Sequence, residues 1–129
     1  LYIADNFNHR IRKVTPAGFI STEAGTGTAG YSGDGGPATS AQIAYPSGVS
    51  VDSAGNLYIV DTNNNRIRKV TPEGFISTVA GNGSQAYGGD GGVATSAQLR
   101  SPIGVSVDSA GNLYISDRDN HRIRKLTPQ

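Results

Sequence analysis

A chain of 129 residues with 18 Gly, 6 Pro and no Cys, Met or Trp has room for one ordinary domain, whose core must be Val, Ile, Leu and Ala with Tyr and Phe as the large fillers. A net charge of +1 provides no global field that would draw nucleic acid or an anionic membrane, and no run of ~20 apolar residues is present to span a bilayer. Without cysteine there are no disulfides and no thiolate chemistry, which leaves the compartment open.

In chain order, "LYIADNFNHRIRKVTPAGFIST" (1–22) places two β-prone stretches around a polar turn and ends on a third. A Gly-rich connection, "GTGTAGYSGDGGPATSAQIAYP" (25–46), follows. Within it "PATSAQI" predicts a short helical turn with Pro37 at its first position, capped by Asp34. Next, "SGVSVDS" (47–53) alternates Val49 and Val51 with small residues, a strand pattern. "SAGN" (53–56) is a hairpin turn in which Gly55 supplies a positive φ and Asp52 binds backbone N–H groups. "LYIVD" (57–61), "RIRKVT" (66–71) and "FISTVAG" (75–81) are further strands, separated by the turns "TNNN" (62–65) and "PEG" (72–74). A second long connection occupies 81–102, and the strand pattern resumes from 103.

These elements recur. Leu1, Leu57 and Leu113 mark a 56-residue period, and 40 of 56 positions are identical between 1–56 and 57–112. The chain therefore holds about 2.3 repeats, with its first and last 17 residues in the same phase. Each repeat reads as a four-stranded antiparallel meander, strands A to D. A sheet of this kind buries both faces only between neighbours.

The tract "YPSGVSVDSAGNLYIVDTNNNRIRKVTPEGFISTVAG" (45–81), the "GDGGPATSAQ" insert (33–42) and the Asn-His pairs Asn8-His9 and Asn120-His121 carry a resemblance to the NHL-repeat β-propeller family, in its bacterial form with long loops. The second repeat departs from it, with Asn65 in place of His. The resemblance implies an all-β fold of four-stranded blades arranged in a ring. Residues 1–24 would be a partial blade (strands B to D), 25–46 an inter-blade loop, 47–80 a complete blade, 81–102 a second loop and 103–129 a partial blade (strands A to C). A closed ring needs about four or more blades. The chain is therefore an incomplete ring, an open array or part of an assembly. Its near-identical repeats, mid-repeat ends and lack of Met favour a window on a longer array, of which a filament is one form.

Nine of the eleven basic residues fall in the three "RIRK" tracts. Some NHL propellers bind RNA through a basic face, and the RNA-binding reading is kept as an alternative. The favoured reading is structural. Arg10, Arg12, Arg66, Arg68, Arg122 and Arg124 share one face of their strands, and each blade offers its own carboxylate, Asp5, Asp61 or Asp117, for pairing that locks neighbouring blades. Single-stranded nucleic acid also wants stacking aromatics among the cations, and only Phe7 lies beside a tract. Some enzymes of this general fold hold zinc on histidines from several blades. Here only His9 and His121 are equivalent, too few for a catalytic site, and they are expected to bond turn backbone. One carboxylate per Gly-rich loop, Asp34 or Asp90, is too few for a calcium site. No nucleophile constellation is present. Surface contacts are expected from Tyr31, Asp34, Tyr45, Tyr87 and Asp90. Asn82-Gly83-Ser84 matches the N-linked sugar pattern, and Thr26, Thr28 and Ser84 are candidates for O-linked sugar.

The expectation is a non-catalytic repeat scaffold or interaction module, outside the cell or on a bacterial surface. It would need no cofactor or metal and would associate with itself, a protein or a glycan rather than with nucleic acid or membrane. The competing class is a propeller-type, metal-dependent lyase or lactonase.

Overall fold

A computed structural model describes residues 1–128. Ten strands form three antiparallel sheets. Sheet one contains β1 (Tyr2–Asp5), β2 (Arg10–Val14) and β3 (Ile20–Ala24); sheet two contains β4 (Pro46–Val51), β5 (Leu57–Asp61), β6 (Arg66–Val70) and β7 (Ile76–Ala80); sheet three contains β8 (Gly104–Val107), β9 (Leu113–Asp117) and β10 (Arg122–Leu126). Each is a meander of consecutive strands, as short turns demand. Sheets one and three have three strands because β1 has no neighbour A and β10 has no neighbour D among the described residues.

The turns follow from local chemistry. The Asp52 carboxylate accepts from the Ala54 and Asn56 N–H groups at 3.0 and 2.9 Å and also holds the Asn56 amide and the Tyr58 hydroxyl. Burial, then Asp52, pushes the Tyr58 phenol up to about 12. Between strands B and C the chain makes a single 3₁₀ turn and closes on a left-handed residue, His9, Asn65 or His121, with φ of 53–55°. Asn and His tolerate that region better than most residues. The helical turn predicted in the first loop is a three-residue 3₁₀ turn, Ala38–Ser40. Pro37 stands before it in extended geometry, φ −63° and ψ 134°, not at its first position, and Asp34 does not cap it.

Strand alternation gives every blade two different faces. On the complete blade, Leu57, Ile59, Val70 and Ile76 face back towards sheet one. They pack with Ile11 and Ala24 of that sheet and with Ala38, Ala41 and Ile43 of the first loop. Val60, Ile67 and Ala80 face forward and pack with Leu99 of the second loop and Ile115 of sheet three. The two apolar layers hold the sheets face to face, the arrangement that repeat architectures require. The isoleucine of each "RIRK" tract thus points to the following blade, while the second arginine points to the preceding one. Ile11 and Ile67 are fully buried, whereas Ile123, with no following sheet, is 69% exposed.

Candidate functional site

The most elaborate polar arrangement lies between blades and is centred on Arg68. Its side chain is completely buried on the backward face of sheet two. A buried guanidinium must satisfy all its donors. Nη1 donates to Asp61 Oδ2 and to the Gln42 carbonyl, each at 3.1 Å. Nη2 donates to the Ser32 carbonyl at 2.9 Å and to Asp34 Oδ1 at 2.8 Å, and Nε donates to the same Asp34 oxygen at 3.1 Å. Asp61 is also fully buried; it accepts from the Ala44 N–H at 2.8 Å, and both its carboxylate oxygens accept from Asn64 Nδ2. Asn64 completes its own bonding with the Gly30 carbonyl at 2.8 Å. One arginine, one aspartate and one asparagine of a blade therefore grip five points of the preceding loop.

The arrangement repeats at Arg124. Nη1 reaches Asp117 Oδ2 at 3.0 Å and the Gln98 carbonyl at 2.8 Å, Nη2 reaches the Gly88 carbonyl, and Nε reaches Asp90 Oδ1 at 2.8 Å. The Arg100 N–H donates to Asp117, and Asn120 links Asp117 to the Ala86 carbonyl. The pairing expected from the sequence is thus present for the second arginine of each tract, Arg12 with Asp5, Arg68 with Asp61 and Arg124 with Asp117. These pairs lie within a blade. The ion pairs that join structural units are Arg68–Asp34 and Arg124–Asp90, between a blade and the loop before it.

The first arginines share the face of the second, since Arg66 and Arg68 both lie over the Tyr31 ring and Arg122 and Arg124 over the Tyr87 ring, but they take different partners. Arg10 and Arg66 donate to the Thr26 and Asn82 carbonyls of the following loop at 2.9 and 3.0 Å. Arg66 and Arg122 lie over the rings of Tyr31 and Tyr87, 3.8 and 3.7 Å from the centroids. Those tyrosines donate their hydroxyls to Asp34 and Asp90. Tyr31, Tyr87, Asp34 and Asp90 are therefore built into the interlock, and Tyr45 packs edge-on against His9 at 4.4 Å. His9 Nδ1 accepts from the Tyr45 N–H at 3.1 Å and Asn65 Oδ1 from the Ser101 N–H at 2.9 Å. These side chains bond the entry to the next blade rather than their own turn. Sequence reasoning used Asn8 and Asn120 only as markers of the family resemblance and assigned no bonding role to Asn8, Asn64 or Asn120. Their identity in all three copies beside a varying His or Asn was the available signal.

The carboxylates are electrostatically distinct. Burial pushes Asp34 up, but bonds from Thr78 and Tyr31 together with Arg68 outweigh it and hold the carboxyl below its usual value. For Asp61 burial prevails over the bonds from Ala44, Asn64 and Arg68, and the carboxyl is raised. A lowered carboxyl contributes stability above the ordinary value of 3.8 that is lost as pH falls through its folded-state value. A raised carboxyl has the opposite sign: its contribution is present at low pH and is lost as pH rises. The Asp34→Asn variant is therefore expected to be less stable than the parent at neutral pH, with the gap narrowing below about pH 4. Urea unfolding at pH 7, 5 and 3 measures this, and a gap constant with pH contradicts it.

Among the described residues, no three His, Asp or Glu side chains converge on a common point, and no helix is long and apolar enough to cross a membrane. Thr26, Thr28, Asn82 and Ser84 are all exposed, and Asn82 Oδ1 accepts from the Ser84 N–H at 2.8 Å.

Stacked antiparallel meanders, one of four strands and two of three among the described residues, joined by inter-blade loops define a β-propeller-type repeat protein. A model of the teneurin NHL domain matches residues 25–88 and a model of the NHL repeat matches residues 99–126. The chain belongs to the NHL-repeat β-propeller family. It is 35% identical over 92 residues to mouse teneurin-1, covering 61% of this chain and 3% of that protein. A solved structural-genomics protein of unknown function from Bacteroides thetaiotaomicron superposes with a TM-score of 0.83 at 31% identity, covering 96% of this chain and 31% of that one. An auxiliary nutrient binding protein from the same organism superposes at 0.77 with 26% identity, covering 96% and 33%. The chain thus spans about a third of these solved chains and a small fraction of the teneurin.

Proposed function

We propose that this chain is a non-catalytic scaffold module of an NHL array, outside the cell or on a bacterial surface, whose blades assemble with further blades of the same kind. The observation that carries the reading is the use of its strongest polar groups. Arg68, Asp61 and Asn64, and their counterparts Arg124, Asp117 and Asn120, all bond to an adjacent loop, and among the described residues only Arg124 of these six also borders a cleft, one of about 320 Å³ that it shares with Asp90. The similarity to a protein described as nutrient-binding is in keeping with a binding role, and a solved chain of like similarity is described as a candidate phosphatase.

Ile123 stands on the forward side and Ile3 and Leu1 on the backward side. Near β10 a cleft of about 510 Å³, lined by Lys69, Thr78, Leu126 and Pro128 among others, lies where a neighbouring blade has its fourth strand. Such edges favour association. Light scattering combined with electron microscopy is expected to show particles heavier than the 13.3 kDa chain, as rings or filaments. A monodisperse monomer of that mass at micromolar concentration would overturn self-association. Stoichiometric metal in the purified protein would instead favour the lyase or lactonase class.

A further inference from the structure

One asparagine of this chain is followed by glycine, Asn82-Gly83; each of the others precedes a residue with a side chain. Asn82 is exposed at the start of the second loop. Arg66 Nη2 donates to its carbonyl at 3.0 Å, with the guanidinium held over the Tyr31 ring. The Ser84 N–H donates to Asn82 Oδ1 at 2.8 Å. Among the described residues the Gly83 N–H, which lies between these two bonds along the chain, has no hydrogen-bond partner. Gly83 has φ of 91°, and the place where a Cβ would stand lies 2.7 Å from the Arg66 guanidinium nitrogens. Gly83 thus has no side chain to hinder attack by its nitrogen and lies against a cation. The Asn82 N–H is tied to the Ala97 carbonyl at 2.9 Å, which fixes the residue from its other side. The first repeat builds the same corner with threonine: Arg10 reaches the Thr26 carbonyl at 2.9 Å, and the Thr28 N–H donates to Thr26 Oγ1 at 3.3 Å. That copy has no side-chain amide to react.

We propose that Asn82 is a site of self-modification, at which the Gly83 nitrogen attacks Asn82 Cγ and the asparagine becomes aspartate or isoaspartate through a cyclic imide. The bond from Arg66 draws charge from the Asn82–Gly83 amide through its carbonyl and acidifies the Gly83 N–H. The Ser84 N–H stands on the oxygen where negative charge develops as the tetrahedral intermediate forms, the role of an oxyanion-hole donor. Hydroxide takes the Gly83 proton and the N–Cγ bond forms. The Cγ–Nδ2 bond then breaks, and Nδ2 takes a proton from water and leaves as ammonia. Water opens the imide by breaking either C–N bond: opening at Cγ gives aspartate, and opening at the main-chain carbonyl gives isoaspartate. The net change is hydrolysis of one amide by one water. A neutral group becomes a carboxylate beside Arg66. In the isoaspartyl form the main chain also gains a methylene between Gly81, which is packed against the Asn65 carbonyl, and Ser84. The second loop thus alters its own contact with β6 as the protein ages, and the first loop does not.

The test incubates the 129-residue chain at mildly alkaline pH and follows it by ion exchange and by peptide mapping that separates aspartate from isoaspartate. Conversion is expected at Asn82 ahead of every other asparagine, with release of ammonia and a more acidic product. It is expected to run about tenfold or more faster in the folded chain than in the same chain unfolded in guanidinium chloride, where neither activating bond is present. Arg66→Met, which keeps an apolar stem and removes the donor, is expected to slow the folded chain about tenfold, because a charge-assisted bond is lost. Asn82→Thr, which installs the residue of the first repeat, is expected to abolish the early charge change. Where Arg66→Met disturbs folding, the comparison of folded and unfolded parent chains decides by itself. The proposal is overturned if the folded chain converts no faster than the unfolded one, or if a folded Arg66→Met chain converts at the parent rate or faster. First conversion at another asparagine overturns it equally.

Discussion

Arg68→Ala is expected to destabilise the protein by about 3–5 kcal/mol, because removing one partner of a buried ion pair leaves the other charge stranded. Asp61 would remain fully buried with its bonds from Ala44 and Asn64 but no counter-charge, and Asp34, Ser32 and Gln42 would lose their donors. The informative comparison is Arg12→Ala, which changes the same position of the repeat. Arg12 bonds only Asp5 among the described residues, and both side chains are more than a quarter exposed. Solvent screens such a pair and makes its contribution small. Chemical denaturation of the two variants is expected to separate them clearly, with Arg68→Ala the more severe. Equal losses would mean that the loop adds nothing to the interlock.

The second large effect is expected at Gly81. This residue begins the second loop with φ of 89°, and a Cβ there would run into the Asn65 carbonyl oxygen. The obstacle is backbone of the turn that links β5 to β6, so it cannot rotate away. Gly81→Ala should therefore combine a left-handed strain of about 1–2 kcal/mol with an overpacking cost of about 1–3 kcal/mol. Gly74 has nearly the same φ, 92°, but open space around its Cβ position. Gly74→Ala isolates the strain, and its loss should be about half or less that of Gly81→Ala. Urea midpoints of the two variants test the difference. Similar midpoints would show that the close approach of loop and turn is not maintained in solution.

Much of this fold was legible in the sequence because its signals are local and are repeated. Alternation in "LYIVD" and "RIRKV", the Asp52 turn and the 56-residue period each depend on neighbours a few residues away. Repetition turned weak patterns into a firm one. The Arg–Asp pairs were within reach for the same reason, since Asp61 stands opposite Arg66 on adjacent strands of one hairpin and Arg68 is its diagonal neighbour on the same face. What could not be read was where the Gly-rich loops go. Asp34 meets Arg68 across 34 residues and a change of sheet, and the expected cap at Ala38–Ser40 was the local alternative that this long-range contact displaced.

The sequence by itself determined an all-β chain of NHL blades and assigned its charged repeats to structure, because strand period, turn chemistry and repeat identity are all encoded within about sixty residues of chain. Only the tertiary structure decided that identical tracts have unequal surroundings. Arg68 is buried and fully bonded, Arg12 is left with an unpartnered donor, and Ile123 is open where Ile67 is closed. The physical reason is that burial and hydrogen-bond satisfaction belong to the blade on either side of a residue. A repeat has the same sequence at each position in a stack, but it has two neighbours only in the middle.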